Sequence, residues 1–393
     1  MTTTDSAVTT VLDEVTAVVE TLRKSGPEAE DRRWIPEENI ELLDKAGVYR
    51  LSVPRRFGGL DAPIADQVRI LSEIASADTA TGWVSMIWVS SAWVPSLFPD
   101  KAQEEVYAGG AVRVSTGFTP SGTLTADEDG SYSLSGSWKW LSGARGANWA
   151  LLSALITGPD GTPAPFAALV PFSELAIADD WHAAYGAGTG SSTATAENVR
   201  VPAHRVVSLI EVLGGTTGNR SNTGATGRNY AFVPFFMAQG ASAYIGIAKG
   251  AYQLFLDRLP GRGITYTSWT DQSQSPLTQI QVAVAANKIA AAEALQENWL
   301  RRLQEHADAG TSQSVEERAA ARGTASFAIQ LAKEAVDELF EASGASVIMR
   351  DVPFQRFHRD IRGLALHALF AYNTNQEVHG RAILGLAPDT PFL

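Results

Sequence analysis

The spacing of apolar residues changes twice along the 393-residue chain. From Val8 to about Leu97 apolar residues recur every three or four positions, which is typical of amphipathic helices. After Gly109-Gly110 they alternate, as in strands, and beyond about residue 228 the helical spacing returns. The sequence therefore predicts an α+β fold with segregated elements, divided into an N-terminal helical domain (1–111), a β domain (112–206) and a C-terminal helical domain (207–393).

Glycine and proline residues separate the predicted elements. Helices are expected at 8–22, 36–46, 64–76, 81–97 and 101–107, with a break at Gly26-Pro27. In the β domain, turns at 127–130 and 158–161 predict antiparallel hairpins. After a stretch rich in Gly, Thr and Asn at 214–228, four long helices at 235–259, 277–306, 314–342 and 359–384 predict a bundle.

Charge and cysteine content exclude several classes of function. The formal net charge of −12 argues against nucleic acid or an anionic membrane surface as the main partner. The chain has no cysteine, which excludes disulfides, thiolate catalysis and iron–sulfur clusters. The first residues lack the features of a signal peptide, and no apolar run approaches the ~18 residues of a membrane span. We expect a soluble, cytoplasmic protein.

Two common cofactor motifs do not fit the sequence. The glycine cluster "GAGTGSS" at 186–192 is followed by "TATAENVRVP", which is strand-like, so the helix that would receive a dinucleotide pyrophosphate is missing. The six histidines are scattered without metal-ligand spacing, and we predict no metal site.

Two segments contain residues suited to chemistry. In "GSWKWLSG", Trp138 and Trp140 are predicted on one face of a strand, followed by a turn at Ser142-Gly143. A flat aromatic side chain beside a hydroxyl and backbone amides would suit the edge of a flavin ring. An ordinary strand with a core tryptophan explains the same residues, and physics alone favours that alternative.

His367 is the titratable group of the second segment. If 359–384 is one helix, His367 shares a mostly apolar face with Gly363, Leu364 and Phe370. A histidine in such surroundings is either a satisfied core residue or a proton-transfer group in a dry pocket. The segment alone does not separate the two.

Four strings together resemble the acyl-CoA dehydrogenase fold. They are "VPRRFGGLDAP", "GSYSLSGSWKWLSG", "GTGSSTATAENVRVPAHRV" and "SGASVIMRDVPFQRFHRDIR". The resemblance extends from about Gly47 to Gly385. It implies an N-terminal helical domain, a central antiparallel β-barrel and a C-terminal four-helix bundle.

Within this fold, the residues resemble oxygenases more than dehydrogenases. Many dehydrogenases carry a glutamate base eight residues after the aspartate that matches Asp360, but that position here is Ala368. His367 stands where the two-component, reduced-flavin-utilising (group D) monooxygenases, such as the 4-hydroxyphenylacetate hydroxylase oxygenase components, keep an active-site histidine. Ser142 matches their serine near the reactive flavin nitrogen.

The resemblance implies an enzyme that takes reduced flavin (FADH2 or FMNH2) from a separate NAD(P)H:flavin reductase. The reduced flavin would react with O2 to give a C4a-hydroperoxyflavin that oxygenates a small hydrophobic substrate, aromatic like an indole or a phenol. His367 and Ser142 are the implied catalytic residues, and no metal is implied. The implied flavin-binding residues are Thr116, Thr119, Ser121, Trp140 and Ser142, with Arg262, Ala345 and Ser346 reaching the flavin of a neighbouring subunit in a homotetramer.

The substrate pocket is expected at Trp83, Trp88 and Ser91, on the helix that contains "GWVSMIWVSSAWVPSLFP". Many of the oxygenases have a histidine in this helix, and this chain has none there. Two other readings stay open: an acyl-CoA dehydrogenase whose base lies on another helix, and a non-catalytic member of the fold.

Overall fold

Helices form both ends of the chain and strands its middle, in a computed structural model that describes residues 6–221 and 229–393. The first part contains α1 (Ser6–Arg32), α2 (Glu37–Lys45), α3 (Ile64–Ala77), α4 (Thr79–Trp93) and α5 (Asp100–Val106). The predicted break at Gly26-Pro27 is wrong, because α1 continues through Pro27 to Arg32. A proline inside a helix costs about 3 kcal/mol, yet α1 continues past Pro27, with Gly26 and Ala29 on either side of it buried.

Helix α4 is buried on all sides and runs beneath the functional residues. Every residue from Thr79 to Trp93 except Ile87 is buried, as expected for a helix that is apolar around its whole circumference. Its N-cap is Asp78, whose carboxylate accepts a hydrogen bond from the backbone N–H of Thr81 at 2.8 Å. This rigid helix fixes the positions of Trp83 and Trp88.

Within the described residues, eight strands form one sheet. They are β1 (Val114–Gly117), β2 (Gly122–Ala126), β3 (Tyr132–Leu141), β4 (Trp149–Thr157), β5 (Pro163–Pro171), β6 (Ala176–Ile177), β7 (Ser192–Val201) and β8 (Val206–Ser208). The predicted hairpins are confirmed, since β2 pairs antiparallel with β3 and β4 with β5. The strand predicted after the glycine cluster is also confirmed, as β7.

The predicted α+β fold class is confirmed, but the central sheet differs from the expected antiparallel β-barrel in two respects. The strand order β6-β7-β3-β2-β4-β5-β8 leaves the sheet open, since closure would require β6 and β8, only two and three residues long, to pair. The sheet is also mixed, because β1 and β2 run parallel to β4. The β2–β3 hairpin acts as the crossover that parallel neighbours require.

The C-terminal part is a helical bundle of α7 (Phe232–Arg258), α8 (Pro276–Ala309), α9 (Val315–Ala342), α10 (Pro353–Leu364) and α11 (Tyr372–Ile383), preceded by the short α6 (Leu209–Gly214). The loop predicted at 214–228 lies partly outside the described residues. At the centre of the bundle, every residue of α7 from Phe232 to Ala248 is buried. Within the described residues no helix is long and apolar enough to cross a membrane.

The single helix predicted at 359–384 is wrong, because the chain leaves the helical path after Leu364 and resumes it at Tyr372. Side chains supply the hydrogen bonds that a continuous helix would make. The Tyr244 hydroxyl donates to the Leu364 carbonyl at 2.6 Å, and the Asn375 amide donates to the carbonyls of Leu369 and Ala371, both at 2.9 Å. His367 therefore lies on a turn between two helices.

Candidate active site

The turn at Ser142-Gly143 is held by three elements. The Ser115 hydroxyl of β1 donates to the Ser142 carbonyl at 2.8 Å. The backbone N–H of Gly143 donates to the Thr189 carbonyl at 3.1 Å, and Trp88 Nε1 of α4 donates to the Gly143 carbonyl at 3.3 Å. The position of the Ser142 hydroxyl is therefore fixed by sheet, loop and helix together.

Gly143 cannot be replaced without moving this turn. Its φ is +74°, and a Cβ there would lie 2.5 Å from Trp88 Nε1. Gly143→Ala is expected to destabilise the protein by about 1 kcal/mol from the left-handed backbone and by about 1–3 kcal/mol more from the overlap. Urea unfolding measures this against Gly130→Ala, which has φ +83° and open space around the Cβ position. Equal losses for the two variants would contradict the close packing of Trp88 under the turn.

The Ser142 hydroxyl belongs to a chain of hydrogen bonds. Trp83 Nε1 donates to Ser142 Oγ at 3.0 Å, and Ser142 Oγ lies 2.7 Å from Ser191 Oγ. Ser191 Oγ lies 2.7 Å from Thr189 Oγ1, which donates to the Gly186 carbonyl at 2.8 Å. The glycine cluster that fails as a dinucleotide motif thus supplies a polar loop beside Ser142.

His367 lies at the start of the turn between α10 and α11. Its Nδ1 accepts a hydrogen bond from the backbone N–H of Leu369 at 3.2 Å, which places the hydrogen of the neutral ring on Nε2. The residue as a whole is exposed, yet the protein packed near the imidazole lowers the pKa of His367 to about 4 by desolvation. The imidazole is therefore neutral near pH 7.

Trp83 joins the two predicted catalytic residues. One end of its indole donates to Ser142 Oγ, and its ring centroid lies 5.9 Å from that of His367 in an edge-to-face contact. Tyr244 and Phe370 pack edge-to-face on the same indole at 5.8 Å and 6.0 Å. The structure therefore brings Ser142 and His367 into contact with the same aromatic side chain.

The prediction that Trp138 and Trp140 share a face is wrong. The pairing of β3 with β7 shifts between Trp138 and Leu141, and Trp140 has φ +70°. This bulge buries Trp138, whose Nε1 donates to the Ser153 carbonyl at 2.8 Å, and turns Trp140 outward with 73% of its surface exposed. Trp138 is the core tryptophan, and Trp140 is free for another role.

Trp140 lies in an open cleft of about 320 Å³. The cleft is lined by aromatic and polar side chains: Lys139, Trp140, Asp180, Trp181, His182, Ser191 and Thr193. Trp140 and Trp181 contact edge-to-face at 6.3 Å. Because Ser191 lies both in this lining and 2.7 Å from Ser142 Oγ, the cleft adjoins the hydrogen-bonded chain.

The other predicted residues near the sheet lie at different depths. Thr116 Oγ1 on β1 is half-buried, 3.3 Å from the Ser91 hydroxyl of α4. Thr119 and Ser121 are exposed beyond the end of β1. Trp88 is fully enclosed, with Trp34 and Tyr49 packed edge-to-face against it.

The residues predicted to reach a neighbouring subunit form a separate cluster. Arg262 donates to the Ser346 hydroxyl at 3.2 Å, Arg258 donates to the same hydroxyl at 3.2 Å, and Ala345 is exposed beside them. Arg258 follows Tyr244 by fourteen residues on α7, so it lies roughly 21 Å from the Trp83 contact along the helix axis. The structure does not bring this cluster together with Ser142.

Asp360 is a functional candidate that sequence reasoning missed. Its carboxylate is fully enclosed and accepts hydrogen bonds from the backbone N–H of Gly186 at 2.7 Å and from the Thr79 hydroxyl. Burial raises the pKa of Asp360 to about 6. Asp360 thus attaches the Gly186–Ser191 loop to α10 and to the start of α4.

The glycine cluster was the available signal for this loop. Close glycines permit a tight turn even where no dinucleotide binds, and the hydroxyls at 189 and 191 lie within that turn. Tyr244, Phe370 and Trp181 carried no sequence signal, because aromatic residues are common in any core. Within residues 6–221 and 229–393, no group of acidic and histidine side chains is arranged to hold a metal.

These residues fit a flavin ring. The cleft offers two indoles and the Ser191 hydroxyl, and the Ser142 hydroxyl lies 2.7 Å from that of Ser191. These are stacking surfaces and hydrogen-bond partners of the kind an isoalloxazine uses. Ala368 occupies the position of the dehydrogenase base, and neutral His367 stands next to it. Fold and site together define a flavoenzyme of the oxygenase class.

Comparison with known proteins agrees with that class. Residues 7–113 match the family described as acyl-CoA dehydrogenase, N-terminal domain, and residues 238–372 match acyl-CoA dehydrogenase, C-terminal domain. The chain is 31% identical to the oxygenase subunit HsaA of a flavin-dependent monooxygenase from Rhodococcus jostii, over 91% of this chain and 94% of that protein. It is 30% identical to the oxygenase component of the FADH2-dependent resorcinol hydroxylase of a Rhizobium species, over 96% and 95%.

A solved structure shows the same likeness. XiaF from a Streptomyces species, in complex with FADH2 and glycerol, superposes with a TM-score of 0.91 at 27% identity, covering 98% of each chain. This chain belongs to the oxygenase components of the flavin-dependent monooxygenases, within the acyl-CoA dehydrogenase fold.

Proposed function

We propose that this protein uses reduced flavin and O2 to oxygenate a small, uncharged aromatic molecule. The observation that carries the proposal is that Ser142 and neutral His367 both contact Trp83, and that Ser142 is hydrogen-bonded to Ser191 in the lining of an open cleft with two indoles. Ala368 favours this chemistry over removal of an α-proton, since it cannot act as a base.

Each residue has a defined part in the proposal. Trp140 and Trp181 would bind the flavin ring at the cleft, and Ser142 would contact its reactive nitrogen. Bound reduced flavin supplies the electrons that activate O2. His367, with its hydrogen on Nε2, would hold the proton that the activated oxygen requires, and the rings of Trp83 and Phe370 would orient its imidazole.

The aromatic cluster around Trp83 is the basis for proposing an aromatic substrate. Trp83, Tyr244 and Phe370 present apolar rings, and His367 beside them is uncharged because its pKa is lowered. A similar protein is named for resorcinol, a small phenol. We propose that helix α4 contributes Trp83, Trp88 and Ser91 to the substrate pocket. Trp88 would act indirectly, by packing under the Ser142-Gly143 turn.

We propose that the flavin is reduced elsewhere, by an NAD(P)H:flavin reductase, and that FADH2 or FMNH2 diffuses to this protein. A similar protein is named as the oxygenase component of an FADH2-dependent hydroxylase, which supports a reductase on a separate chain. We propose a cytoplasmic location for the pair, where reduced nicotinamide is made.

We propose a homotetramer in which Arg262, Ala345 and Ser346 approach the flavin of a neighbouring subunit. Helix α7 is buried by its own chain, so the interface would use α8, where Leu277 and Ile280 are 62% and 60% exposed. Light scattering at micromolar concentration is expected to give the mass of four chains, which Ile280→Glu would reduce. A wild-type monomer would contradict the proposal.

Flavin binding tests the proposed function. The purified protein is expected to be nearly colourless and, under anaerobic conditions, to bind reduced FAD or FMN more tightly than the oxidised form. Mixing the reduced complex with O2 in a stopped-flow spectrometer should show flavin oxidation slowed relative to free flavin. Oxidised FAD that survives gel filtration and is bleached by an acyl-CoA would instead support the dehydrogenase alternative.

A further inference from the structure

We propose that Ser191 and Thr189 are positioning residues that make the Ser142 hydroxyl a hydrogen-bond acceptor toward the flavin, so that the protein selects reduced over oxidised flavin. The inference rests on the proposed function, because it takes Ser142 as the residue that contacts the reactive flavin nitrogen. Its basis is the direction in which the hydrogen bonds of the chain must run.

The direction is set at Thr189. Its Oγ1 lies 2.8 Å from the Gly186 carbonyl oxygen, which can only accept, so the Thr189 hydroxyl hydrogen points there. Thr189 has one hydroxyl hydrogen, and at 2.7 Å from Ser191 Oγ it must therefore accept. Ser191 consequently donates to Thr189.

The same count of hydrogens and lone pairs determines whether the Ser142 hydroxyl donates or accepts. Because the Ser191 hydrogen is directed to Thr189, Ser191 accepts from Ser142 across 2.7 Å. Ser142 Oγ meanwhile receives the indole N–H of Trp83 at 3.0 Å. A hydroxyl offers one hydrogen and two lone pairs, so Ser142 retains a single free lone pair and no free hydrogen.

That remaining lone pair distinguishes the two redox states of a flavin. N5 of a reduced flavin carries a hydrogen and donates, whereas N5 of an oxidised flavin has a lone pair and accepts. An acceptor-only Ser142 attracts the first and repels the second. A serine free to rotate would serve both forms equally well.

Burial keeps the chain from reversing. Thr189 is fully buried and Ser191 is 7% exposed, so water has little access to supply a competing hydrogen. The loop itself is held where Asp360 accepts from the Gly186 N–H at 2.7 Å. The direction of the chain is thus built into buried groups rather than chosen by solvent.

The test compares dissociation constants for reduced and oxidised FMN, measured anaerobically by fluorescence titration. Ser191→Ala removes the acceptor of the Ser142 hydrogen, so Ser142 can donate to the flavin. Thr189→Val removes the acceptor of the Ser191 hydrogen, so Ser191 can turn to donate to Ser142, and the Ser142 hydrogen is again free to donate. Either change is expected to reduce the oxidised-to-reduced ratio of dissociation constants by about tenfold, the scale of one hydrogen bond. Thr189→Ser retains the hydroxyl and is expected to keep the wild-type ratio, as is Ser90→Ala, whose buried hydroxyl bonds only to its own helix.

The Ser142→Ala variant distinguishes the positioning role of Ser191 and Thr189 from the assumed contact between Ser142 and the flavin. If Ser142→Ala changes neither dissociation constant, Ser142 does not contact flavin and the assigned role of Ser142 fails. If Ser142→Ala changes the ratio while Ser191→Ala and Thr189→Val leave it unchanged, the positioning role alone is overturned. In the Ser142→Ala background, Ser191→Ala is expected to have no further effect on the ratio, and an undiminished effect there would also overturn the positioning role. Should Thr189→Val fail to fold, Ser191→Ala, at the rim of the cleft, decides alone.

Discussion

Replacing His367 with alanine is expected to lower the rate of product formation by about 10²–10⁴-fold, the usual contribution of a positioned acid–base group. Reduced flavin should still be oxidised, and the oxygen should leave as hydrogen peroxide rather than enter the substrate. The fold should survive, because His367 is an exposed residue on a turn rather than within a helix. Product yield and peroxide per flavin oxidised measure the change.

His367→Asn is the matched control for the turn. Its side-chain oxygen can accept from the Leu369 N–H as the imidazole does, but it has no ring nitrogen to hold a proton. It should lose product formation like His367→Ala while unfolding at the wild-type temperature. If His367→Ala melts several degrees lower with normal coupling of oxygen to product, His367 is a structural residue.

The pH dependence of His367 has a definite sign. The folded-state pKa of about 4 lies below the ordinary 6.5, so the unfolded chain binds more protons between these values. Wild-type stability relative to His367→Asn should therefore fall as the pH drops from about 6.5 to 4. Between pH 7 and 8 the group stays neutral, and no activity change should be due to its titration.

Asp360→Ala is expected to cause the largest loss of stability, roughly 3 kcal/mol, because it leaves the buried N–H of Gly186 and the hydroxyl of Thr79 without their acceptor. Arg356, itself buried, would also lose a neighbouring negative charge. Urea unfolding at pH 7 measures the loss. A change below 0.5 kcal/mol would mean that water or a shifted loop replaces the carboxylate.

The Asp360→Asn variant tests whether Asp360 stabilises the fold by its shape and hydrogen bonding or by its negative charge. The amide oxygen can still accept from Gly186, so most of the stability at pH 7 should remain. The folded-state pKa of Asp360, about 6, lies above the ordinary 3.8, so the folded protein binds the proton more tightly. Wild-type stability relative to Asp360→Asn should therefore decline as the pH rises from about 4 through 6, which is opposite in sign to the His367 dependence.

Sequence periodicity was sufficient for most of the fold. The alternating strands, both hairpins and the long bundle helices appear where the spacing predicts them, because burial of one face dictates that spacing. It could not predict the helix break after Leu364, where Tyr244 and Asn375 from other parts of the chain replace helical hydrogen bonds. The domain boundaries at 111 and 206 stay a prediction.

Only those site residues that belong to a short sequence motif could be predicted from the sequence. Ser142 and His367 came from short motifs, and they lie around Trp83 as a pair. Asp360 was placed by helical spacing alone, which gives no hint that its carboxylate meets Gly186, 174 residues earlier in the chain. The bulge at Trp140 could not be predicted, because the alternating pattern of apolar residues assumes a strand with a regular pleat.

The interrupted helix in the bundle leaves part of residues 365–371 open to substitution. Tyr244 and Asn375 hold the two ends of the segment by hydrogen bonds to its backbone and to Leu364. His367 and Phe370 contact Trp83 and must be retained. A library restricted to the other five positions (365, 366, 368, 369 and 371) would sample new substrate preferences while the scaffold and flavin cleft stay constant, so it is the natural starting point for redirecting the enzyme.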